Sequence, residues 1–366
     1  MLRTLAAFTA ATTLLLSAST ASADVTSEST INRIAGHPLA YGFSGDGGPA
    51  IDATLNKPRD SEFGPDGSLY LVDTYNDRVR RIALDGTITT VAGNGIHGYN
   101  GDGIAATEAS LSWPHDVFVD GTGNIFIADS NNSRIRMVTT DGIIHTLVGT
   151  GTVGSTGDGG LGVEARIKYP KSVFTVDETL YWTGFENRVR KLNITTGIVS
   201  AVAGSTMAGY VNGPSGQARF NQPQRMQLDS IGNIYLADTG NSAVRRIDLS
   251  GVVTTVAGTG IRGNGGSSGP ATSFALNQPR GIALDGDTVL FIADSQNQRV
   301  RRVDLLTGML TSVTNNPKGY AGDNGPASGA KFYQPRGLSV SMEGDLVVAD
   351  TYNSVIRRID HTVVTP

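Results

Sequence analysis

The chain has 366 residues, a formal net charge of −4 at pH 7, 47 glycines and no cysteine. The lack of cysteine excludes a disulfide framework, and the acidic balance argues against nucleic acid as the main partner. So many glycines with few long apolar runs favour an all-β protein with many turns.

Residues 1–23 have the layout of a cleavable secretory signal. Arg3 lies near the start, an apolar run passes through Leu14–Leu16, and small residues stand at Ala21 and Ala23. Cleavage after Ala23 would leave Asp24 first. A membrane anchor is the alternative, but the run is short and broken by threonines and serines. We therefore expect a secreted, extracellular protein with no membrane attachment after cleavage.

The remainder, residues 24–366, is built from six copies of one unit about 56 residues long. The units begin near Pro58, Pro114, Pro170, Pro223, Pro279 and Pro335. Each unit holds four short β-rich runs separated by Gly, Asp and Asn turns, which predicts a four-stranded antiparallel blade. Blades cannot bury both faces alone, so the sequence predicts a single domain, a six-bladed β-propeller.

The sixth unit nearly reaches the chain end after its third strand, Val355–Ile359. Its missing fourth strand is supplied by TINRIAG, residues 30–36, which matches VTTVAG of the fourth unit. We therefore predict that an N-terminal strand closes the ring. A rival closure would use the short run Val363–Val364 of the tail.

The repeat resembles the NHL-repeat family of β-propellers. The resemblance is carried most clearly by PRGIALDGDTVLFIADSQNQRVRRV (279–303) and NIFIADSNNSRIRMV (124–138). The GDGGPA-type insertion before the first unit is similar to loops in NHL arrays of extracellular, teneurin-like proteins. The resemblance implies a propeller fold, but NHL propellers include both binding platforms and enzymes. The third unit departs from the pattern, with Gly184 where the others have Asp.

Strand alternation places the long loops and the Asn-containing turns on one face of the ring, which is where a binding site is expected. Near the channel mouth on that face, the residues after each proline form a basic set: Arg59, Lys171, Arg225, Arg280 and Arg336. These residues favour an anionic group, since guanidinium forks fit carboxylate or phosphate. Alternatively, each basic group pairs with a neighbour, such as Arg59 with Asp60 or Asp116.

His115 with Asp60 and Asp116 is the nearest approach to a catalytic cluster. Such a set can act as general base and orienting acid, or hold a metal. No catalytic motif supports it, so no metal or other cofactor is predicted. Related six-bladed enzymes, lactonase-like hydrolases and amidating lyases, remain the alternative; they would need a divalent ion in the channel.

Other contact candidates are aromatic residues expected to be exposed: Tyr75, Tyr99, Tyr320 and Tyr352. Glycosylation sequons occur at Asn131 and Asn193. The recurring Asp and Asn of the turns are interpreted as architecture, and Asp46 of the glycine loop as a turn-shaping or capping acceptor. The basic third strand is interpreted as a solvated or inter-blade ion-pair surface.

The sequence thus favours a secreted, monomeric, non-catalytic interaction module. Its partner would be a protein, peptide or glycan held on the loop-rich face, rather than nucleic acid. A purely structural role in an extracellular coat is a third possibility.

Overall fold

The computed structural model describes residues 23–363, with side chains described for residues 25–361. Six antiparallel sheets, the blades, surround a central channel, and the innermost strand of each blade contacts the innermost strand of the next blade around the ring. Short 3-10 turns occur at Ala50–Asp52, Thr74–Asn76, Ala106–Glu108, Gly162–Glu164, Thr239–Asn241, Ala271–Ser273, Ser295–Asn297, Ala327–Gly329 and Thr351–Asn353. The predicted six-bladed β-propeller is confirmed.

Each blade has strands a to d from the channel outward. Blade 1 has Asp60–Phe63, Leu69–Asp73, Arg78–Ile82 and Ile88–Ala92. Blade 2 has Pro114–Val119, Ile125–Asp129, Arg134–Val138 and Ile143–Val148. Blade 3 has Pro170–Val176, Thr179–Gly184, Arg188–Asn193 and Val199–Gly204. Blade 4 has Met226–Leu228, Ile234–Asp238, Ala243–Ile247 and Val252–Ala257. Blade 5 has Gly281–Asp285, Val289–Asp294, Arg299–Asp304 and Met309–Ser312. Blade 6 has Pro335–Val340, Leu346–Asp350, Val355–Ile359 and Thr30–Ala35.

The N-terminal strand closes the ring, as predicted. Thr30–Ala35 pairs antiparallel with Val355–Ile359, with Ile31 opposite Ile359. The tail instead pairs Thr362–Val363 with Ala23–Asp24 in a separate two-stranded sheet, so the rival closure is wrong. Residues 1–22 of the predicted signal segment lie outside the described residues.

The core lies between blades. Strands b are buried on both faces because each blade has a neighbour on either side. Val72 and Val79 of blade 1, for example, share an apolar cluster with Val117 and Ile127 of blade 2. Alternate residues of a strand therefore pack against the two different neighbours.

The glycine loops run from strand d of one blade to the outer edge of the next. Four of them add a short fifth strand there: Ile104–Ala105, Gly213–Pro214, Ser268–Pro270 and Gly325–Pro326. The other two make single bridges, Pro49 to Thr87 and Leu161 to Ile198. Because exposed edge strands invite pairing with other chains, the loops protect the rim of the ring.

Each loop is fixed by an apolar anchor three residues before the blade's proline. The anchors are fully buried: Leu55, Leu111, Ile167, Phe220, Leu276 and Phe332. A single 3-10 turn precedes the anchor in five loops, and Pro49, Pro270 and Pro326 stand directly before three of these turns.

Strand c is only partly exposed to solvent. One arginine of strand c in every blade is completely buried: Arg80, Arg136, Arg190, Arg245, Arg301 and Arg357. Arg80 is typical, since its guanidinium lies 2.7 Å from Asp46 of the glycine loop and 3.8 Å from Asp73. It also donates to the carbonyls of Ser44 and Thr54. Ion pairs do form, but within a blade rather than between blades, and each of these arginines also bonds the glycine loop of its own blade, a contact that we call a clamp.

Asp46 consequently has a different role from the one predicted. Its carboxylate accepts hydrogen bonds from Arg80 and from Thr90 Oγ1, and the nearby 3-10 turn has no side-chain cap. Asp73 and Asn76 do shape the turn as predicted. Asp73 accepts from Asn56 N and from Asn76 Nδ2, both at 2.7 Å.

In the third blade, Glu186 replaces the missing aspartate at Gly184. Its carboxylate lies 3.2 Å from Arg190 and accepts from Trp182 Nε1 at 2.9 Å. A carboxylate from a different position thus provides the same pairing of the buried arginine.

Candidate ligand-binding mouth

The starts of the innermost strands meet at one end of the channel, on the face that carries the long loops. A cavity of about 330 Å³ opens there. Its lining residues are Arg59, Trp113, His115, Asn131, Tyr169, Lys171, Phe185, Gln224, Arg280 and Arg336. Four of the five predicted basic residues therefore face one space, which we call the mouth.

Two glycines allow the inner strands of blades 5, 6 and 1 to approach closely. A Cβ on Gly281 would lie 1.7 Å from the Arg336 carbonyl oxygen, and one on Gly337 would lie 2.5 Å from Asp60 Cα. Gly337 N instead donates to Arg59 O at 2.9 Å. This close approach brings Arg59, Arg280 and Arg336 into adjacent positions around the mouth.

The fifth basic residue, Arg225, is neutralised. Its guanidinium makes ion pairs with Asp60, Asp116 and Glu62 across the channel. Burial alone would lower the pKa of Arg225, but Asp116, Asp60 and Glu62 together raise it. These four side chains form what we call the floor.

The floor divides the channel. Arg225 lines a small cavity below the mouth together with Asp60, and it also lines a separate cavity of about 270 Å³ with Glu62 and Phe174. The mouth therefore narrows toward side chains that cross the channel.

The other four cations have no carboxylate partner among residues 25–361. Lys171 and Arg336 are only 8% and 7% exposed, and Arg59 and Arg280 are half-buried. Burial lowers the pKa of all four, and mutual repulsion adds to this for Lys171, Arg280 and Arg336. The pKa of Arg280 falls to about 10.

The predicted catalytic cluster does not form. Asp60 and Asp116 bind Arg225, and Asp116 also accepts from Val117 N and Val173 N. His115 lies among cations instead. Burial and then the charge of Lys171 hold its pKa well below the usual range, so it is neutral at pH 7. It therefore has no acidic orienting partner in either of these aspartates.

An aromatic wall, which the sequence analysis missed, covers the side of the mouth formed by blades 2 and 3. It consists of Trp113, Tyr169 and Phe185. Two columns of the repeat contain these residues: the position before each proline, and the turn position that supplies Tyr75 in blade 1.

The residue before each proline has the same backbone conformation in every blade. These residues, Lys57, Trp113, Tyr169, Gln222, Gln278 and Gln334, all have φ between 44° and 51°. This left-handed conformation is rare for residues other than glycine. Its repetition in every blade fixes the direction in which these side chains leave the strand.

Tyr75 and Tyr352 are half-buried rather than exposed as predicted. The Tyr75 ring packs on Trp113 and the Tyr352 ring on Tyr333, each with ring centres 4.9 Å apart. Lys57 Nζ lies between the two tyrosines, 4.4 Å from the centre of one ring and 5.2 Å from the other. These side chains form a continuous aromatic rim beside Arg59 and Arg336.

Tyr99 and Tyr320 do not line the mouth. Tyr99 covers the Arg134 guanidinium at 3.7 Å, and Tyr320 donates to Asp323 of its own loop. Both tyrosines therefore pack on the clamps of their blades. Of the two sequons, Asn131 is exposed and lines the mouth, whereas Asn193 Oδ1 accepts from Thr196 N in a turn.

Within residues 25–361, no group of three or more His, Asp or Glu side chains is arranged to hold a metal ion. In the same part of the chain, no helix is long and apolar enough to cross a bilayer.

Comparisons with known proteins agree with this architecture. Residues 97–156 match the model of the teneurin NHL domain. Protein SUPPRESSOR OF QUENCHING 1, chloroplastic, of Arabidopsis thaliana is 27% identical over 75% of this chain and 27% of its own length. Mouse teneurin-4 is 28% identical over 81% of this chain and 12% of its own length. Human NHL repeat-containing protein 2 is 27% identical over 84% of this chain and 39% of its own length. The chain thus spans well under half of each of these relatives.

Two solved structures from Bacteroides thetaiotaomicron share the fold. A protein of unknown function has a TM-score of 0.67 at 18% identity, covering 90% of this chain and 74% of its own. An auxiliary nutrient binding protein has a TM-score of 0.66 at 17% identity, covering 90% and 76%. Together with the six-bladed ring, the sequence matches support an NHL-repeat β-propeller.

Proposed function

We propose that this chain is an exported, non-catalytic interaction module that holds an acidic protein, peptide or glycan at the mouth. The observation that carries the proposal is the group of four cations without carboxylate partners among the described residues. Keeping such charges together and partly out of water is unfavourable. An architecture that tolerates this cost is typical of a functional site.

The rest of the molecule supports this interpretation by contrast. The six strand c arginines are also buried, yet each one is paired or bonded to loop carbonyls. The fold therefore neutralises these six arginines, whereas Arg59, Lys171, Arg280 and Arg336 have no carboxylate partner among the described residues. Conversely, the acids that a hydrolase or lyase would use, Asp60 and Asp116, are engaged by Arg225.

Binding can be tested with arrays of acidic and neutral glycans and peptides. Wild type would be compared with the double variant R280E/R336E and with R262E, which changes an exposed arginine outside the mouth. We expect acidic ligands to bind wild type and R262E but not the double variant. Ligands that bind all three proteins equally would place the site elsewhere. A failure of wild type to bind any ligand on the arrays would oppose the proposal.

Export can be tested separately. Expression of residues 1–366 in a secreting host should release protein whose first residue is Asp24, as determined by N-terminal sequencing. Retention of the intact chain inside the cells would contradict the signal prediction.

A further inference from the structure

The charges around the channel indicate what kind of ligand would complete the mouth. Five cations lie at the mouth and floor: Arg59, Lys171, Arg225, Arg280 and Arg336. Three carboxylates, those of Asp60, Glu62 and Asp116, oppose them, and all three belong to the floor. The formal charge of the mouth and floor together is therefore +2, and the four cations that no carboxylate of the described residues pairs with all line the cavity.

Unused hydrogen-bond donors point the same way. The Nε atoms of Arg59, Arg280 and Arg336 are buried and have no partner among the described residues. Six other arginines in the described part of the chain also have an unpartnered Nε, so what distinguishes these three is that they line one cavity. Buried donors without partners are uncommon and costly. Three separate guanidinium groups require an acceptor with several oxygens close together, as in phosphate or paired carboxylates.

The shape of the mouth limits how such a group enters. The floor side chains cross the channel below the mouth, which favours a ligand that inserts one end from the loop-rich face. Trp113, Tyr169 and Phe185 line one side, while Arg280 and Arg336 belong to the opposite side of the ring. An acidic end placed between the cations would leave the adjoining part of the ligand against the aromatic wall.

We propose that the mouth binds the dianionic end of a ligand, a phosphate monoester or a dicarboxylate, carried on a ring that packs against Trp113, Tyr169 and Phe185. This inference rests on the proposed function and specifies its ligand. A monoanion leaves one cationic charge uncompensated, and a long polyanion conflicts with the floor and the net charge of −4.

The full chain can be titrated calorimetrically at about pH 7.5 with two dianions, phenyl phosphate and phthalate, since a phosphate monoester is largely dianionic there. Phenyl sulfate and benzoate are matched monoanions with the same ring. We expect at least one dianion to bind about tenfold or more tightly than its monoanion, or about 1.4 kcal/mol. Preference for phenyl phosphate would identify a phosphate monoester, and preference for phthalate a dicarboxylate.

Variants connect the affinity to the mouth. R280Q/R336Q should abolish the preference for the dianion, whereas R262Q should keep it, with circular dichroism confirming that both variants fold. W113A should weaken phenyl phosphate more than inorganic phosphate, because only the former has a ring to stack. Equal affinity for dianions and monoanions, or a preference that survives R280Q/R336Q, would overturn the inference. The proposed function would still stand if the arrays gave a ligand lost in R280E/R336E.

Discussion

Replacing Arg280 with glutamine should make the protein more stable, although an arginine with a hydrogen bond is removed. Arg280 is half-buried, and its Nη2 donates to Gln278 Oε1 at 3.1 Å. Its charge is opposed by burial and by Arg59, which together lower its pKa to about 10. The folded state therefore pays for holding this charge, whereas the unfolded chain does not.

The size of the gain follows from these contacts. At 1.4 kcal/mol for each tenfold change, the lowered pKa of Arg280 corresponds to roughly 3 kcal/mol. Solvent screening at a half-buried side chain reduces this to about 2 kcal/mol. The lost hydrogen bond subtracts about 1 kcal/mol. We expect a net gain near 1 kcal/mol in the free energy of unfolding, or roughly 2 °C in melting temperature.

Urea denaturation of wild type, R280Q and R262Q measures this difference. The buffer should contain neither phosphate nor dicarboxylate, because an anion bound in the mouth would stabilise wild type by mass action. R262Q removes an exposed arginine and should stay within about 0.5 kcal/mol of wild type. A loss of 1 kcal/mol or more in R280Q would refute the reasoning, since it would mean that the native structure compensates the charge of Arg280.

Three further substitutions test other parts of the argument. I31A removes a fully buried side chain of the closing strand and should lower the free energy of unfolding by about 2–5 kcal/mol, measured by urea denaturation. The control I51A, at a position 42% exposed, should lower it by under about 1 kcal/mol. Equal losses would contradict closure by this strand. D73A leaves Asn56 N without its acceptor, while Arg80 keeps its ion pair with Asp46, so the substitution should cost about 1–3 kcal/mol. D85A in an exposed turn should cost about 0.5 kcal/mol or less, and equal costs would show that Asp73 does not hold the turn. Wild type should gain stability relative to K171Q as the pH rises through the lowered pKa of Lys171, because the penalty of the charged amine is present below that pKa and is relieved above it. A constant difference across the titration would refute this.

The fold was predictable because the same pattern of strands and turns occurs in six copies, so each copy confirms the interpretation of the others. Proline spacing, strand alternation and the unmatched run at 30–36 define the blades, their number and the closing strand. The same alternation places Arg59 and Arg336 near the channel mouth. A structure was needed to show that Arg225, rather than Arg59, reaches Asp60 and Asp116, because pairing across a ring depends on its radius and on side-chain conformation.

Some missed features did have a signal. Asp60 and Glu62 are two residues apart on one strand, so their side chains share a face, and both belong to the floor. The aromatic wall was visible as Trp113 and Tyr169 in the column before the prolines. The burial of Arg80 could not be predicted from the sequence, because alternating arginine and valine is equally compatible with a strand whose arginines are exposed to solvent.

The ring closes within blade 6, where Val355–Ile359 returns to pair with Thr30–Ala35, and the inner strands of blades 6 and 1 meet beside this closure. Arg336 and Arg59 lie on the two sides of this contact, next to the bond from Gly337 N to Arg59 O. The like charges of Arg336 and Arg59 repel each other across this contact. An anion bound between them would offset this repulsion. Ligand binding would then slow the opening of the ring and lengthen the half-life of the folded protein.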